Sequence, residues 1–368
     1  MKPGKLFKCF LLLLAPAFLS TTRGMALIII PSWDSTITTD PNAATIQATI
    51  NTAIQFYQAR FSDPITVTIN FQEMTTAGLE GHSSWWYYNI SYSQFRTALQ
   101  NDASTTTDAV ALAHLPGGTA NPVTGTSVVR VKTANLRALG FTGFPSGLAG
   151  GVDGIIGLHV SQMNLTRTSI NPAKYDLLSV AEHEINEVLG LASALDSLAG
   201  DPLPEDLFRY TSTGSRTYTT SGDNAYFSID GMTDLARFNQ SSAGDFGDWW
   251  TAGAHTARVQ DAFLTAGATP NPTVELTALD AIGYNLLPPP QPGITGIGLA
   301  DKDLLINGTN GLASGTYLVL AGTNLSLPFN QWQPIATNML SANGNFSFTA
   351  TNVVNSNITS QFFTLQLQ

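Results

Sequence analysis

Apolar and polar positions along the first part of the chain predict a strand, a helix and a second strand. The run "LIIIPSWD" (27–34) predicts the first strand. Residues 42–61 carry apolar side chains at helical spacing and predict an amphipathic helix packed on a sheet: Ile46, Ile50, Ile54, Tyr57 and Phe61. In "ITVTINF" (65–71) apolar residues alternate with Thr and Asn, which predicts a half-buried strand. This order is typical of the start of an α/β sandwich.

The middle of the chain is less regular. Residues 74–127 show no sustained period and are expected to be irregular, whereas "VVRVK" (128–132) and "GIIGLHVSQ" (154–162) predict further strands. The segment "NPAKYDLLSVAEHEINEVLG" predicts a helix capped by Asn171, with Pro172 at its first position and its end at Gly190. Loops are expected to dominate residues 196–275, and "VELTALDAIGYNL" predicts a last helix.

A proline-rich segment divides the chain. Four prolines in "LLPPPQPG" favour a stiff, extended linker at residues 287–293. Beyond it, residues 294–368 alternate apolar and polar positions between frequent turn residues, which predicts a small all-β sandwich module. The preceding domain is expected to span residues 27–286.

The N-terminal 26 residues have the pattern of a secretory signal peptide. Three lysines precede the apolar run "CFLLLLAPAFLS", and small residues follow, so cleavage is expected near Ala26. The apolar run is too short for a stable membrane anchor. The chain's one cysteine, Cys9, lies in this segment, so the mature protein is expected to have neither a disulfide nor a thiolate ligand. We therefore expect a secreted protein.

Acidic residues outnumber basic ones. The chain has 26 Asp and Glu against 16 Lys and Arg, with a formal net charge of −10. Four of the basic residues belong to the predicted signal peptide, so the mature chain is more acidic still. This charge argues against nucleic acids and anionic membranes as partners.

The segment "AEHEINEVLG" (181–190) carries the candidate chemistry. On a helix His183 and Glu187 lie one turn apart on the same face, where both can reach one metal ion. Glu184 is placed to hold a water bound to that ion. The other face follows the spacing of a buried helix side: Leu178, Ala181, Ile185, Leu189 and Ala192. The prediction is a helix at the floor of a cleft; the competing interpretation is a solvated helix with Glu182, Glu187 and His183 at the surface.

The stretch "YDLLSVAEHEINEVLG" resembles the active-site helix of zincin metalloproteases, in particular metzincin-like secreted bacterial enzymes whose motif reads His-Glu-x-x-Glu. The segments "DLFRYTSTG", "YFSIDG", "FNQSSAGDFGDWW" and "LTALDAIGYNL" resemble later blocks of that family. The resemblance implies an α/β (α+β) zincin-like catalytic domain over residues 27–286. It also implies Zn²⁺ or another divalent metal on His183 and Glu187, Glu184 as the general base, and a polypeptide substrate.

The third metal ligand stays open at this point. A metzincin places it where this chain has Ser193, a poor zinc ligand, and Phe208 stands where the methionine of the family's turn is expected. The candidates are Asp196, Asp206, Asp245 and His255. Asp206 is preferred because it lies in a block that resembles the family; its other interpretation is a cap or turn residue.

A second set of oxygen ligands lies in a Gly-rich stretch: Asp230, Asp234, Asn239, Asp245 and Asp248. Such ligands suit calcium, although their spacing matches no EF-hand, and the alternative is that they cap turns.

Together these patterns predict a secreted metal-dependent endopeptidase with a C-terminal β module. The alternative is a secreted binding or adhesion protein whose zincin-like fold has lost catalysis. A polysaccharide hydrolase with paired carboxylates is disfavoured, because Glu184 and Glu187 share one helical turn, whereas glycosidase carboxylates flank the sugar.

Overall fold

A computed structural model describes most of the chain beyond the predicted signal peptide. The described residues are 26–196, 200–222, 224–288, 292–309, 311, 316–340, 344–354 and 360–367. The predicted signal peptide, apart from Ala26, lies outside them, as do residues 289–291 of the predicted linker. The described chain divides between Leu287 and Pro288 into two compact units, called here the N-terminal and C-terminal units.

The N-terminal unit contains every α-helix of the described residues. The helices are α1 (Ser35–Thr38), α2 (Ala43–Arg60), α3 (Tyr92–Asp102), α4 (Thr106–His114), α5 (Thr133–Ala138), α6 (Leu177–Leu189) and α7 (Val274–Ala281). Its strands are β1 (Ile28–Trp33), β2 (Thr66–Glu73), β3 (Gly81–Trp85), β4 (Tyr87–Ser91), β5 (Val128–Lys132), β6 (Gly154–Leu158), β7 (Met163–Asn164), β8 (Tyr175–Asp176), β9 (Arg209–Thr211), β10 (Ala225–Phe227) and β11 (Ala236–Arg237).

A four-stranded sheet in the order β1-β2-β6-β3 forms the centre of this unit. Strands β1, β2 and β6 are parallel, whereas β3 runs antiparallel to β6 and occupies the edge. Helices α2 and α6 pack together, and α6 also contacts β3 and β6. The core joins apolar residues of these elements: Ile46, Ile50, Tyr57, Ile69, Phe71, Ile185 and Leu189. The predicted opening of strand, helix and strand is confirmed by β1, α2 and β2.

The expectation that residues 74–127 are irregular was wrong. They contain β3, β4, α3 and α4. Both helices open with a reciprocal capping box, formed by Ser91 with Gln94 and by Thr105 with Asp108. Each pair satisfies free backbone N–H groups of the first helical turn, which stabilises short helices that have only a few apolar residues.

Helix α6 begins later than predicted. Its N-cap is Asp176. The Asp176 carboxylate accepts a hydrogen bond from the Ser179 amide (3.1 Å) and forms an ion pair with Arg167 (2.7 Å). Asn171 caps a preceding turn instead, where its side chain accepts from the Ala173 amide. The predicted end at Gly190 is confirmed.

The C-terminal unit consists of β12 (Gly293–Ala300), β13 (Asp303–Thr309), β14 (Thr316–Gly322), β15 (Gln333–Met339), β16 (Phe346–Ala350) and β17 (Phe362–Leu367). They form two three-stranded antiparallel sheets, β12-β13-β16 and β15-β14-β17. Leu304 and Ile306 of one sheet share a hydrophobic core with Tyr317 and Val319 of the other. The protein is thus a mixed α and β fold with C-terminal strands. Within the described residues, no helix has the length and apolar character needed to cross a membrane.

Candidate metal centre

Helix α6 is buried along its whole length except at Leu178. His183, Glu184 and Glu187 are 9%, 4% and 7% exposed, and Glu182 is 2% exposed. The interpretation of α6 as a solvated helix was therefore wrong. Ionised side chains are costly to bury without partners, so the surroundings of these residues decide what they do.

His183, Glu184 and Glu187 line a cleft of about 590 Å³. One wall is the start of edge strand β3, with Gly81 and His82, and the other consists of the loops at 242–248 and 261–264. The expected cleft is present. The helix does not, however, present a free acidic face to solvent, because β3 and these loops cover it.

Three side chains around this cleft can hold a metal ion: His183, Glu187 and Asp248. His183 Nε2 lies 3.6 Å from Glu187 Oε1 and 3.6 Å from Asp248 Oδ1, and the three ligand atoms lie within 4.8 Å of one another. Around a tetrahedral zinc ion with bonds of about 2.0–2.1 Å, ligand atoms are separated by roughly 3.4 Å. The two separations from His183 Nε2 are close to this value, so the three atoms could gather around one ion.

Each of the three side chains is held by a second group. His183 Nδ1 lies 2.9 Å from the Val259 carbonyl, which can only accept, so Nδ1 carries the proton and Nε2 has its lone pair free for a metal. Glu187 Oε2 accepts from the Ser83 hydroxyl (2.5 Å). Asp248 Oδ1 accepts from Gln260 Nε2 (2.9 Å).

Gln260, which donates a hydrogen bond to Asp248, is itself linked to α6 by further hydrogen bonds. Gln260 Oε1 accepts from Asn186 Nδ2 (3.0 Å), and Asn186 Oδ1 accepts from the Tyr57 hydroxyl (2.6 Å). Asn186 and Gln260 are buried, so this chain of bonds is shielded from water. The loop that carries Asp248 is therefore tied to the helix that carries His183 and Glu187.

Two residues determine the path of the loop at 239–248. The buried Asn239 side chain donates to the carbonyls of Ser241 (2.9 Å), Gly244 (2.9 Å) and Asp245 (3.0 Å). Gly247 lies so close to the backbone after α6 that an added Cβ would be 2.6 Å from the Ser193 amide nitrogen. These contacts bend the loop and press it onto the end of α6, where Asp248 reaches the centre.

Asp206, the preferred third ligand, lies outside this group. Its carboxylate accepts hydrogen bonds from the Ser193 hydroxyl (2.5 Å) and from the amides of Ala194 and Leu203 (both 2.9 Å). It therefore holds the segment after α6 in place. Ser193, where the expected resemblance would place the third ligand, donates one of these hydrogen bonds. The structure brings Asp248, rather than Asp206, to His183 and Glu187.

The other candidates also lie apart from the three ligand atoms. His255 Nε2 is 3.1 Å from Asp261 Oδ2. Asp196 and Asp245 line the cleft, and Asp196 Oδ1 accepts from the Phe246 amide (2.6 Å). Burial of its carboxyl group, together with repulsion from Asp245, raises the pKa of Asp196 to about 7.

The residues proposed for calcium do not assemble into one site. Asp230 accepts from the amides of Met232 and Thr233 and so stabilises a turn, and Asp234 is exposed. Asn239 supports its own loop, and Asp248 belongs to the centre. Among the described residues, the one group of three or more His, Cys, Asp or Glu with metal-ligand spacing is His183, Glu187 and Asp248.

The charges of the centre depend on one another. Burial raises the pKa of Asp248 well above its usual range, and burial together with repulsion from Glu187 does the same for Glu184. Burial opposes protonation of His183, but attraction to Asp248 and the hydrogen bond with Glu187 outweigh it and raise its pKa. The same interaction with His183 overcomes burial and lowers the pKa of Glu187. This anionic pocket therefore favours one positive charge at its centre, either a proton on His183 or a metal ion.

Glu184 lines the same cleft as the three candidate ligands. Its Oε1 lies against Gly81 of β3, where an added Cβ would collide with it. Among the described residues, none donates a hydrogen bond to the buried Oε2. A carboxylate in this position can accept a proton from a water held at the centre.

The sequence indicated Asp248 only as a candidate calcium ligand and not as a partner of His183 and Glu187, and it gave no sign of the supporting roles of Ser83, Val259 and Gln260. A signal for Asp248 existed, because "FNQSSAGDFGDWW" is one of the segments that resemble the zincin-like family. The supporting residues carry no motif, since two of them act through a common hydroxyl or amide and Val259 acts through its backbone.

Comparisons with known proteins found no matching family model, no similar curated protein and no similar solved structure. The likeness to zincins is therefore confined to a few short segments of the sequence. The function has to be inferred from the side chains of the candidate centre.

Proposed function

We propose that this chain is a secreted metal-dependent endopeptidase, with Zn²⁺ or another divalent metal held by His183, Glu187 and Asp248. The observation that carries the proposal is Glu184. It is a buried carboxylate that includes an oxygen without a hydrogen-bond donor, beside a set of three possible metal-ligand atoms and at the wall of a cleft. This combination is what hydrolysis by an activated water requires.

The donor set determines which ions are suitable. One imidazole and two carboxylates form a harder and more negative set than three histidines. Such a set still suits zinc, but it admits ions that prefer oxygen, such as Mn²⁺. The notion that calcium occupies the loop at 230–248 receives no support from the geometry, because the residues concerned lie apart.

The roles of the side chains follow from their positions. A divalent cation, when bound, supplies Lewis acidity that lowers the pKa of a water and polarises a carbonyl group. Glu184 would accept the proton of that water and later donate it to the leaving amine. Val259, Ser83 and Gln260 keep His183, Glu187 and Asp248 in place during the reaction.

A polypeptide substrate suits the cleft. Strand β3 is the edge of the four-stranded sheet and contributes Gly81 and His82 to the wall. An extended peptide can pair with a free strand edge through its backbone, which positions a scissile bond with little dependence on side chains. The volume of about 590 Å³ accommodates a few residues of such a peptide.

The test combines metal analysis with a protein-substrate assay on the purified chain. We expect about one equivalent of divalent metal in the wild type and hydrolysis of fluorescently labelled casein. Glu184→Gln should keep the metal and lose at least about a hundredfold in rate, as expected for removal of a general base. His183→Ala and Asp248→Ala should lose both. Glu182→Gln is the matched control, since Glu182 is equally buried on the same helix and lies outside the metal group.

Other results would decide against the proposal. Stoichiometric metal without hydrolysis of any tested polypeptide would favour the alternative, a binding or adhesion protein on the same scaffold. A wild type that retains no metal after exposure to zinc, together with an Asp248→Ala variant indistinguishable from it, would refute the metal centre.

A further inference from the structure

One face of edge strand β3 presents three alternate residues to helix α6 and to Lys132, which binds that helix. Alternate residues of a strand point to the same side, so Gly81, Ser83 and Trp85 share this face. Gly81 lies against Glu184 Oε1, and Ser83 donates to Glu187. The Trp85 ring lies 3.8 Å from Lys132 Nζ, which in turn binds α6.

The backbone and the side chain of Glu187 are held by different residues. The buried Lys132 ammonium donates to the carbonyls of Glu187 (2.6 Å) and Leu191 (2.9 Å), and so fixes the last turn of α6. These carbonyls lack helical partners, and a cation at this end also opposes the negative pole of the helix. Lys132 thus positions the backbone of residue 187 but leaves the rotation of its carboxylate undetermined.

The rotation of that carboxylate is set by Ser83. Ser83 is 5% exposed, and its hydroxyl donates to Glu187 Oε2 at 2.5 Å, while Oε1 faces His183 Nε2 at 3.6 Å. The hydrogen bond to Oε2 fixes the rotation of the carboxylate, so that Oε1 is the oxygen turned towards the other candidate ligands. Ligating carboxylates are commonly oriented in this way by a neighbouring donor.

We propose that Ser83 is a positioning residue that restricts Glu187 to one ligating oxygen and thereby keeps the coordination number of the metal low. This inference rests on the proposed function, because it needs a metal at His183, Glu187 and Asp248. A low coordination number leaves a position for water and favours ions that accept four ligands. Ions such as Ca²⁺, which take six to eight oxygens and often bind carboxylates through both, are disfavoured.

The test replaces the hydroxyl and reads the coordination of the metal directly. Wild type, Ser83→Ala and Ser83→Thr, each as the full chain, are loaded with Co²⁺, and their visible absorption is recorded, since low-coordinate Co²⁺ absorbs far more strongly than six-coordinate Co²⁺. We expect strong bands in the wild type and several-fold weaker ones in Ser83→Ala. Zinc affinity should fall roughly 10–100-fold relative to Ca²⁺ and Mn²⁺ affinity. Ser83→Thr retains the hydroxyl and should restore the wild-type spectrum.

Ser84→Ala is the matched control, because it removes the same group from the opposite face of the same strand. A Ser83→Ala spectrum and metal preference equal to those of the wild type would overturn the inference and leave the metal centre intact. Equal changes in Ser84→Ala would also overturn it, since they would indicate a general loosening of β3. A wild type that binds no Co²⁺, or binds it equally after His183→Ala, would refute the metal centre and this inference together.

Discussion

Three aspartates, Asp63, Asp102 and Asp280, lie near the C-terminal ends of α2, α3 and α7, away from the candidate metal centre. Burial raises the pKa of Asp63, Asp102 and Asp280 to about 6 each, and repulsion among neighbouring carboxylates adds to the effect. Asn285 bridges two of them, because its Nδ2 lies 3.0 Å from Asp102 Oδ1 and 3.4 Å from Asp63 Oδ1. Replacement of Asp102 by Asn removes one charge and keeps an oxygen that can accept from Asn285.

The size of the effect follows from the shift in pKa. A rise from 3.8 to about 6 corresponds to at most about 3 kcal/mol at neutral pH, at roughly 1.4 kcal/mol per unit. Asp102 is only half-buried, so screening by solvent reduces this to about 1 kcal/mol. The carboxylate also ends α3, where the negative pole of the helix disfavours it further. Asp102→Asn should therefore raise the free energy of unfolding at pH 7.5 by about 1 kcal/mol.

The pH dependence has a definite sign. Between pH 3.8 and about 6 the native state binds a proton that the unfolded state has already released. The free energy of unfolding due to this group is therefore highest at low pH and falls as the pH rises to about 6. The gain from Asp102→Asn should accordingly be clearly larger at pH 7.5 than at pH 4.5, and it should vanish only below about pH 3.

Urea unfolding followed by circular dichroism at 222 nm measures this quantity, because all described α-helices belong to the N-terminal unit. Asp234→Asn serves as the control, since it removes the same charge from an exposed loop. If Asp102→Asn were destabilising at pH 7.5, or stabilised the protein equally at both pH values, then the Asp102 carboxylate would not lower the stability of the native state as argued.

Two further predictions concern the surroundings of the metal centre. Asp206→Asn should lower the free energy of unfolding by about 1–3 kcal/mol, because a buried hydrogen-bond acceptor is weakened. Elemental analysis of this variant should still find stoichiometric metal. Loss of metal from a folded variant would instead make Asp206 a ligand. Gly247→Ala should reduce metal affinity at least about tenfold in calorimetric titration, because the added Cβ would push the loop that carries Asp248 away from the Ser193 amide. An unchanged affinity would show that the close contact at Gly247 is not needed to position Asp248.

The sequence was most informative where structure depends on local spacing. Helix α2 and strands β1 and β2 have sustained apolar patterns, and all three were found. Helices α3 and α4 were missed, although their capping boxes "SYSQ" and "TTTD" are visible in the sequence. Their few core residues, such as Phe95 and Leu99, give too weak a period, and packing against other parts of the chain stabilises them.

The same limit applies to the start of α6. Asn171 and Asp176 are both capable caps, and a proline after Asn171 made the earlier position look favourable. Asp176 differs from Asn171 because it forms an ion pair with Arg167 and accepts a hydrogen bond from the Ser179 hydroxyl. Arg167 reaches Asp176 only after the intervening chain has turned back, which no local pattern reveals.

Two of the three candidate ligands, together with Glu184, were readable from local spacing. His183, Glu184 and Glu187 are neighbours on one helix, so their proximity follows from helical geometry alone. Asp248 comes from a distant loop, and its place depends on the bonds of Asn239 and on the absence of a side chain at Gly247. Asp206 and Asp248 are chemically equivalent in the sequence, and only the path of the chain separates a structural carboxylate from a candidate ligand.

The charge balance of this region argues that the centre is built for a cation. Glu184, Glu187 and Asp248 are buried together, and carboxylates buried without compensation are strongly unfavourable. Lys132, the buried ammonium group nearby, donates to two carbonyls, and burial lowers its pKa to about 8, so it compensates these acids only in part. A proton on His183 would balance one further charge, but it would occupy the Nε2 lone pair that the Val259 carbonyl leaves free. A divalent ion held by His183, Glu187 and Asp248 would compensate the buried carboxylates without a proton on His183, so the geometry of the anchors and the electrostatics of the pocket both support the proposed metal centre.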